Sequence, residues 1–277
     1  MDASEIFDSV ARARARDRAA RAGGDADFVR DHMMSGLVER IEAVERDFPE
    51  ILDIGAWRGG FAWRDARVTR IDAGGAFARA SGGMQVEEDR LPFGDARFDL
   101  IVSAASLDQV NDLPGALTLI RRALRPGGMF VAAFLGAGTL ATLRQALRIA
   151  EPEPVAPRLH PQIDVRSAGD LLARAGFANP VADTETLAVR YSGLARLIAD
   201  LRGMAATNLL RGRKAMPRGV LAGASKAFAA LADPDGKTVE RFEIVYMTGH
   251  APEADAKPRS RGGRAFAAIT AGLPPAK

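Results

Sequence analysis

The sequence predicts an α/β protein built on a doubly wound, mostly parallel sheet, and three observations predict it. Short apolar runs alternate with segments whose apolar residues recur at helical spacing, from near the start almost to the end. The first such run, Ile51-Leu52-Asp53-Ile54-Gly55, delivers a carboxylate and then a glycine turn, as a buried strand does where it ends at a ligand-facing loop. With 277 residues, 47% hydrophobic and 26% charged, the chain can bury one large core, whereas two equal domains would each be short.

The elements follow in order. Met34, Leu37, Ile41 and Val44 recur as one helical face before Phe48-Pro49, giving a helical N-terminal region over 1–47. The run at Ile51 is the first strand, Arg67 to Ile71 followed by Asp72 is the second, and Gln85-Val86-Glu87 is a short third. Phe98-Asp99-Leu100-Ile101-Val102-Ser103 is the fourth. Asp112 then caps a helix with Pro114 in its first turn and Leu113, Leu117, Ile120 and Leu124 on one face. Arg125-Pro126-Gly127-Gly128 stops it, and Met129 to Phe134 forms a fifth strand. Thr139 is the expected cap of a helix with Leu140, Leu143 and Leu147 inward, and a further helix from Ser167 to Ala175 ends at Gly176. Val181 to Tyr191 and Phe242 to Met247 read as strands. Between them, Ser192 to Gly203 and Val220 to Ala232 are helical and are joined by Arg211-Gly212-Arg213-Lys214. They form an expected insertion over 192–238 that caps the catalytic end of the sheet. One domain is expected over 1–250, with a loose Pro-, Gly-, Ala- and Arg-rich tail over 251–277.

Composition narrows the chemistry. The chain has no cysteine, which excludes disulfides, thiolate nucleophiles and cysteine metal sites. His32, His160 and His250 are far apart and form no helical pair, so no metal site is expected. The net charge of +3 is too small to argue for nucleic acid, and the basic stretches Arg12 to Arg21 and Lys257 to Arg264 read as solvated ends. No apolar run reaches the roughly 18 residues of a membrane span. The first residues read as neither a secretory signal nor an acid-poor transit peptide, so the expected compartment is the cytoplasm.

The chemistry-bearing residues gather at successive strand ends, where open α/β sheets bind ligands. The first loop offers Asp53, Gly55, Ala56, Trp57 and Gly59; glycine there lets backbone approach a ligand, and amides at a helix start face an anionic group. Asp72 closes the second strand, where it either caps the following turn or accepts from both hydroxyls of a ribose. Glu88, Asp89, Arg90 and Leu91 close the third, where a carboxylate can accept from an adenine amino group. Ser103, Ala104 and Leu107 close the fourth, as a pocket floor. Asp99 is expected to hold its adjacent loop, Tyr191 and Tyr246 to be core or rim, and Met33-Met34 to pack.

From Ile51 to Phe134 these residues resemble the class I S-adenosylmethionine-dependent methyltransferases, including the acid-x-Leu-Pro-Phe run at Asp89 and the Phe-Asp-Leu-Ile-Val-Ser strand. The resemblance implies a Rossmann-like seven-stranded sheet with an antiparallel last strand, and S-adenosylmethionine as cofactor. In it Asp53, Gly55 and Gly59 line the methionine moiety, Asp72 holds the ribose, and Glu88 and Asp89 approach the adenine. A wider likeness rests on Phe48-Pro49-Glu50-Ile51-Leu52-Asp53, on Val110 to Leu117 and on Asp200 to Asn208. These segments are similar to the mitochondrial complex I assembly factors related to methyltransferases, regarded as protein arginine hydroxylases. More distantly, they are similar to the malonyl-carrier-protein O-methyltransferases of biotin synthesis. This likeness implies modification of an arginine of a respiratory complex I subunit, with Asp108, Asn208, Arg213 and Tyr246 as substrate-contact candidates. The alternatives are O-methylation of a carrier protein or small molecule, and a non-catalytic assembly chaperone. Carrier-protein docking would use the basic residues Arg211, Arg213, Lys214 and Arg218.

The sequence departs from the family at two places. The first loop usually reads Asp-x-Gly-x-Gly-x-Gly, and here Trp57 replaces the middle glycine with Ala56 before it. An indole there either blocks the methionine moiety or swings out as a lid. The assembly-factor group has His-Trp after the fourth strand, and this chain has Asp108-Gln109, which removes an aromatic surface.

Overall fold

A computed structural model of the chain describes residues 5–23, 25–151 and 156–253. Its strands are β1 (Glu50–Ile54), β2 (Arg67–Asp72), β3 (Met84–Gln85), β4 (Phe98–Ala104), β5 (Leu124–Leu135), β6 (Ala178–Tyr191) and β7 (Thr238–His250). They form one seven-stranded sheet in the order β3-β2-β1-β4-β5-β7-β6. β3, β2, β1, β4 and β5 pair in parallel, and β7 pairs antiparallel with both β5 and β6. The sheet is therefore mostly parallel with an antiparallel last strand, as expected. The chain winds outward from β1 to β3, then crosses back to β4 on the other side of β1. The ends of β1 and β4 thus form the switch point where a crevice opens.

The helices are α1 (Ser9–Arg21), α2 (Phe28–Glu42), α3 (Gly75–Ala80), α4 (Leu113–Ala123), α5 (Ala141–Ala150), α6 (Val165–Arg174), α7 (Leu194–Gly203) and α8 (Arg218–Ala229). Alternation along the strands divides the apolar residues between two cores. Leu100, Val102, Met129, Val131, Ile244 and Tyr246 face α2, α5, α7 and α8, while Ile101, Phe130, Ala132, Val245 and Met247 face α4 and α6. Asp112 caps α4 by accepting from the Gly115 amide at 2.8 Å, with Pro114 in the first turn, as the sequence predicts.

Several expectations are corrected. Arg12 to Arg21 is not a solvated end: it lies within α1, whose inward face, Arg12, Ala15, Arg16 and Ala19, is buried. Thr139 does not cap α5. Its hydroxyl donates to the Glu243 carbonyl, and the buried Glu240 carboxylate accepts instead from the Thr142 and Leu143 amides. The Arg125 to Gly128 turn is part of β5, because Leu124 already pairs with Phe98. β3 is displaced to Met84–Gln85, pairing with Ile71 and Asp72, and Val44 lies beyond the end of α2. Of the insertion, α7 and α8 extend the layer beside α2 and α5, and only the connection 204–213 reaches the end of the sheet. The Lys257 to Arg264 stretch and most of the 251–277 tail lie outside the described residues.

Candidate functional site

The first loop is built by β1. Gly55 takes φ +76°, and a Cβ there would meet the Ser106 Cβ at 2.8 Å, so only glycine fits between the two strand ends. Asp53 is buried, and its Oδ2 accepts from the Phe61 amide at 2.6 Å, so it braces the loop from within. Burial raises its pKa. Trp57 keeps a left-handed backbone (φ 53°), and its indole stacks on Phe77 of α3 with ring centroids 4.0 Å apart. Gly59 is exposed and faces open space, and Arg90 is exposed beside Glu87; neither is brought to the crevice. Ser103, Ala104 and Leu107 are buried at the end of β4.

Asp72 ends β2, Glu88 lies in the short turn Glu88–Arg90 that follows β3, and α1 reaches both. Arg16 grips Asp72 with two parallel hydrogen bonds, Nε to Oδ1 at 2.7 Å and Nη2 to Oδ2 at 2.5 Å, while the Gly74 amide also donates to Oδ1 at 2.6 Å. Arg12 grips Glu88 in the same way, at 2.6 and 2.8 Å, and also donates to the Ser106 carbonyl at 3.0 Å. The Ser106 hydroxyl donates to Glu88 as well. All four charged side chains are buried. Burial by itself disfavours both charges of the Arg12–Glu88 pair. Their mutual attraction outweighs it, raising the Arg12 pKa and lowering that of Glu88. The Arg16 guanidinium also lies 5.0 Å from the Trp57 ring centroid and 5.5 Å from that of Phe77.

Beyond Trp57 lies a narrow crevice lined by Arg30, Met33, Trp57, Asp108, Gln109 and Met204. It continues past Asp108 and Gln109 to His160 and Asn208. Its first part admits the centre of a water-sized molecule over only about 20 Å³, room for about one water. Several polar atoms there are buried without a hydrogen-bond partner among the described residues: Arg30 Nε and Nη2, Trp57 Nε1, Asp108 Oδ1 and Gln109 Oε1. Burial raises the Asp108 pKa to about 6 against the pull of Arg12 and Arg16, and burial lowers that of Arg30. Asn208 donates to the Pro157 carbonyl and accepts from the Leu210 amide, holding the 204–213 connection in shape. Arg213 pairs with Asp8 just before α1. Asp89 borders a separate small cleft beside Arg12. Tyr246 is buried between α2 and the sheet, with Arg40 3.8 Å over its ring, and is not part of the crevice.

A family profile described as a methyltransferase domain matches residues 52–132. The mitochondrial arginine-hydroxylase NDUFAF5 of Danio rerio is 32% identical, over 93% of this chain and 86% of its own. That of Homo sapiens is 33% identical, over 93% and 80%. The chain belongs to this methyltransferase family. The malonyl-[acyl-carrier protein] O-methyltransferase of Xylella fastidiosa (strain M23) is 30% identical over 90% of each chain. Among solved structures, Bacillus subtilis YcgJ superposes with a TM-score of 0.54 at 14% identity, over 79% of this chain and 99% of its own, a likeness of fold.

The cofactor of this methyltransferase family is S-adenosylmethionine, and Gly55, Asp72 and Glu88, the residues expected to line it, converge on one end of the sheet. As the side chains stand, however, this arrangement does not admit the cofactor. Both oxygens of Asp72 and both of Glu88 are taken by arginines, and the Arg16 guanidinium lies against the Trp57 indole. The reading of Trp57 as a lid swung outward is corrected, since the indole is 3% exposed and points inward.

Of the residues that decide this geometry, Arg12, Arg16 and Arg30 lie outside the strand-end loops that the sequence marks as site candidates, and Arg58 lies within the first of those loops. Arg58 donates to the Ala19, Ala20 and Gly23 carbonyls, clamping the end of α1, and to Asp27 at 2.9 Å. One signal for α1 was present: Arg12, Ala15, Arg16 and Ala19 follow the i, i+3, i+4, i+7 spacing of a buried helical face.

Proposed function

We infer that this methyltransferase-like chain modifies a cationic protein side chain, an arginine of a respiratory complex I subunit, during assembly of that complex in the cytoplasm. The observation that carries the reading is the Asp108 carboxylate, with Oδ1 buried in the crevice and lacking a partner among the described residues, beside the equally unpartnered Oε1 of Gln109. Two unpartnered acceptors favour a ligand that brings several N–H groups, as a guanidinium does, and the same crevice also holds the unpartnered donors of Arg30 and Trp57, which call for acceptor atoms on the ligand or cofactor. The name of the NDUFAF5 relatives, arginine-hydroxylase, points to the same side chain. In this reading Asp53, Gly55, Ala56 and Trp57 flank the methionine part of S-adenosylmethionine and Asp72 its ribose. Glu88, Asp89 and Leu91 lie toward the adenine, and Ser103, Ala104 and Leu107 form the floor; Asp108 and Asn208 border the substrate.

The test compares arginine-containing peptides of complex I subunits, by mass, between the parent strain and a deletion strain. A modified arginine present in the parent and lost in the deletion supports the reading, and its mass separates methylation from hydroxylation. Identical spectra overturn it.

A second reading is a non-catalytic assembly role, favoured by the occupation of Asp72 and Glu88 by arginines. Lack of saturable S-adenosylmethionine binding in the whole chain, with complex I still lost on deletion, would establish it. Docking of an acidic carrier protein draws less support, because Arg211 and Arg213 are already paired with Glu5 and Asp8.

A further inference from the structure

The family's nucleoside acids and the chain's own first helix compete for the same bonds. A ribose offers two hydroxyl donors to a carboxylate and an adenine offers an amino donor. Arg16 and Arg12 offer two N–H groups each to Asp72 and Glu88 and already make those bonds. The helix that carries them is fastened at both ends. Ahead of it, Phe7 forms a bridge with Leu210, the Phe7 amide donates to Asn111 at 2.8 Å, and Asp8 pairs with Arg213. At its far end, Arg58 holds its last carbonyls, and Asp17 on its flank accepts from the Ala76 amide at 2.7 Å.

What holds α1 inward is mostly charge. Its buried apolar side chains are only Ala15 and Ala19. A buried ion pair gives little net stability against two solvated charges, so a helix fastened this way can leave its seat more readily than one anchored by leucines. The link to α2 passes through Gly23, in the left-handed region at φ +87°, and Arg58 holds the Gly23 carbonyl together with the last carbonyls of the helix, so withdrawal of α1 releases the Arg58 bonds as well.

We propose that α1 is an internal plug of the cofactor site. Arg12 and Arg16 stand in for the nucleoside's donors, and S-adenosylmethionine binds only when α1 withdraws from Asp72 and Glu88. The same movement takes the Arg16 guanidinium off the Trp57 ring, which lines the crevice at Asp108. A ligand that must first open such a site binds with an affinity reduced by the open fraction, about 100-fold if one molecule in a hundred is open.

The absence of cysteine allows a reversible test in the whole chain. Asp17→Cys with Ala76→Cys tethers α1 to α3 when oxidised and frees it when reduced, with circular dichroism confirming the fold in both states. Titration calorimetry with S-adenosylmethionine should show binding to the reduced form and none to the oxidised form. A second variant, Arg12→Gln with Arg16→Gln, removes both cations while keeping a hydrogen-bond donor at each position, and should bind at least about tenfold tighter than the parent chain. In the parent chain, saturating cofactor should speed hydrogen exchange of the α1 amides, whereas a preformed site would slow it. The proposal is overturned by equal affinity in the oxidised and reduced forms, by protection of α1 on binding, or by lack of binding in both the parent and the glutamine variant. Binding with α1 in place would end the plug and leave the arginine-modification reading to its own mass test.

Discussion

Trp57 occupies a backbone conformation that a glycine would take without strain, and it fills the space that the missing glycine would leave. Holding a tryptophan at φ 53° costs about 1 kcal/mol, while its buried, stacked indole returns more than that. Trp57→Gly should therefore lower stability by about 3 kcal/mol, the roughly 3–5 kcal/mol of a buried aromatic deletion less the strain relieved. Denaturant unfolding reads this directly. Asp108 presents the opposite case, a side chain that weakens the fold in the absence of a ligand. Its folded pKa is raised from 3.8 to about 6, so the fold favours the neutral acid and stability falls as pH rises through that window. Asp108→Asn should thus change little at pH 4 and stabilise by about 1–3 kcal/mol above pH 7. If the variant shows the same gain at both pH values, ionisation of Asp108 is not the cause.

At the scale of elements, α1 and the 204–213 connection behave as one fastening. Arg16→Ala leaves the Asp72 charge buried without its partner and should cost about 3–5 kcal/mol. Arg16→Ala with Asp72→Ala should cost clearly less than the sum of the two single changes, a coupling that a double-mutant cycle measures. The connection depends on a neutral histidine. The Leu209 amide donates to His160 Nε2 at 2.9 Å, and burial lowers the His160 pKa from 6.5 to about 4. A histidine with a lowered folded pKa takes up its proton more readily when unfolded, so its contribution is present above pH 6.5 and is lost as pH falls toward 4. Hydrogen exchange at the Leu209 and Leu210 amides should accordingly quicken between pH 6.5 and 4, and His160→Gln should flatten that dependence. The acids Asp72 and Glu88 were legible at this scale, because each follows a segment that reads as a strand. Their partners were not, since nothing local ties Arg16 to a residue 56 positions away.

For the whole molecule, the two cores on either face of the sheet share β4, β5 and β7, so neither can melt while the other persists. Guanidinium unfolding followed by far-ultraviolet dichroism and by tryptophan fluorescence should give coincident transitions. Trp63 packs against the core beside α2, and Trp57 sits in the small cluster under α1. An earlier transition at Trp57 alone would show that α1 and its cluster come loose first.

The α/β class, the mostly parallel pairing, the glycine turn at Gly55 and the acids at Asp72 and Glu88 follow from local pattern: alternating strand and helix segments and breakers are encoded within about ten residues of one another, whereas the strand order is fixed only in the assembled sheet. Whether the crevice beside those acids is open or filled is set by contacts between residues 56 and 76 positions apart. Arg12 and Arg16, in a stretch that reads as a solvated end, are buried because the carboxylates that neutralise them, Glu88 and Asp72, are met only after folding. Charge can enter a core where its counter-charge is waiting, and that meeting is a property of the assembled sheet.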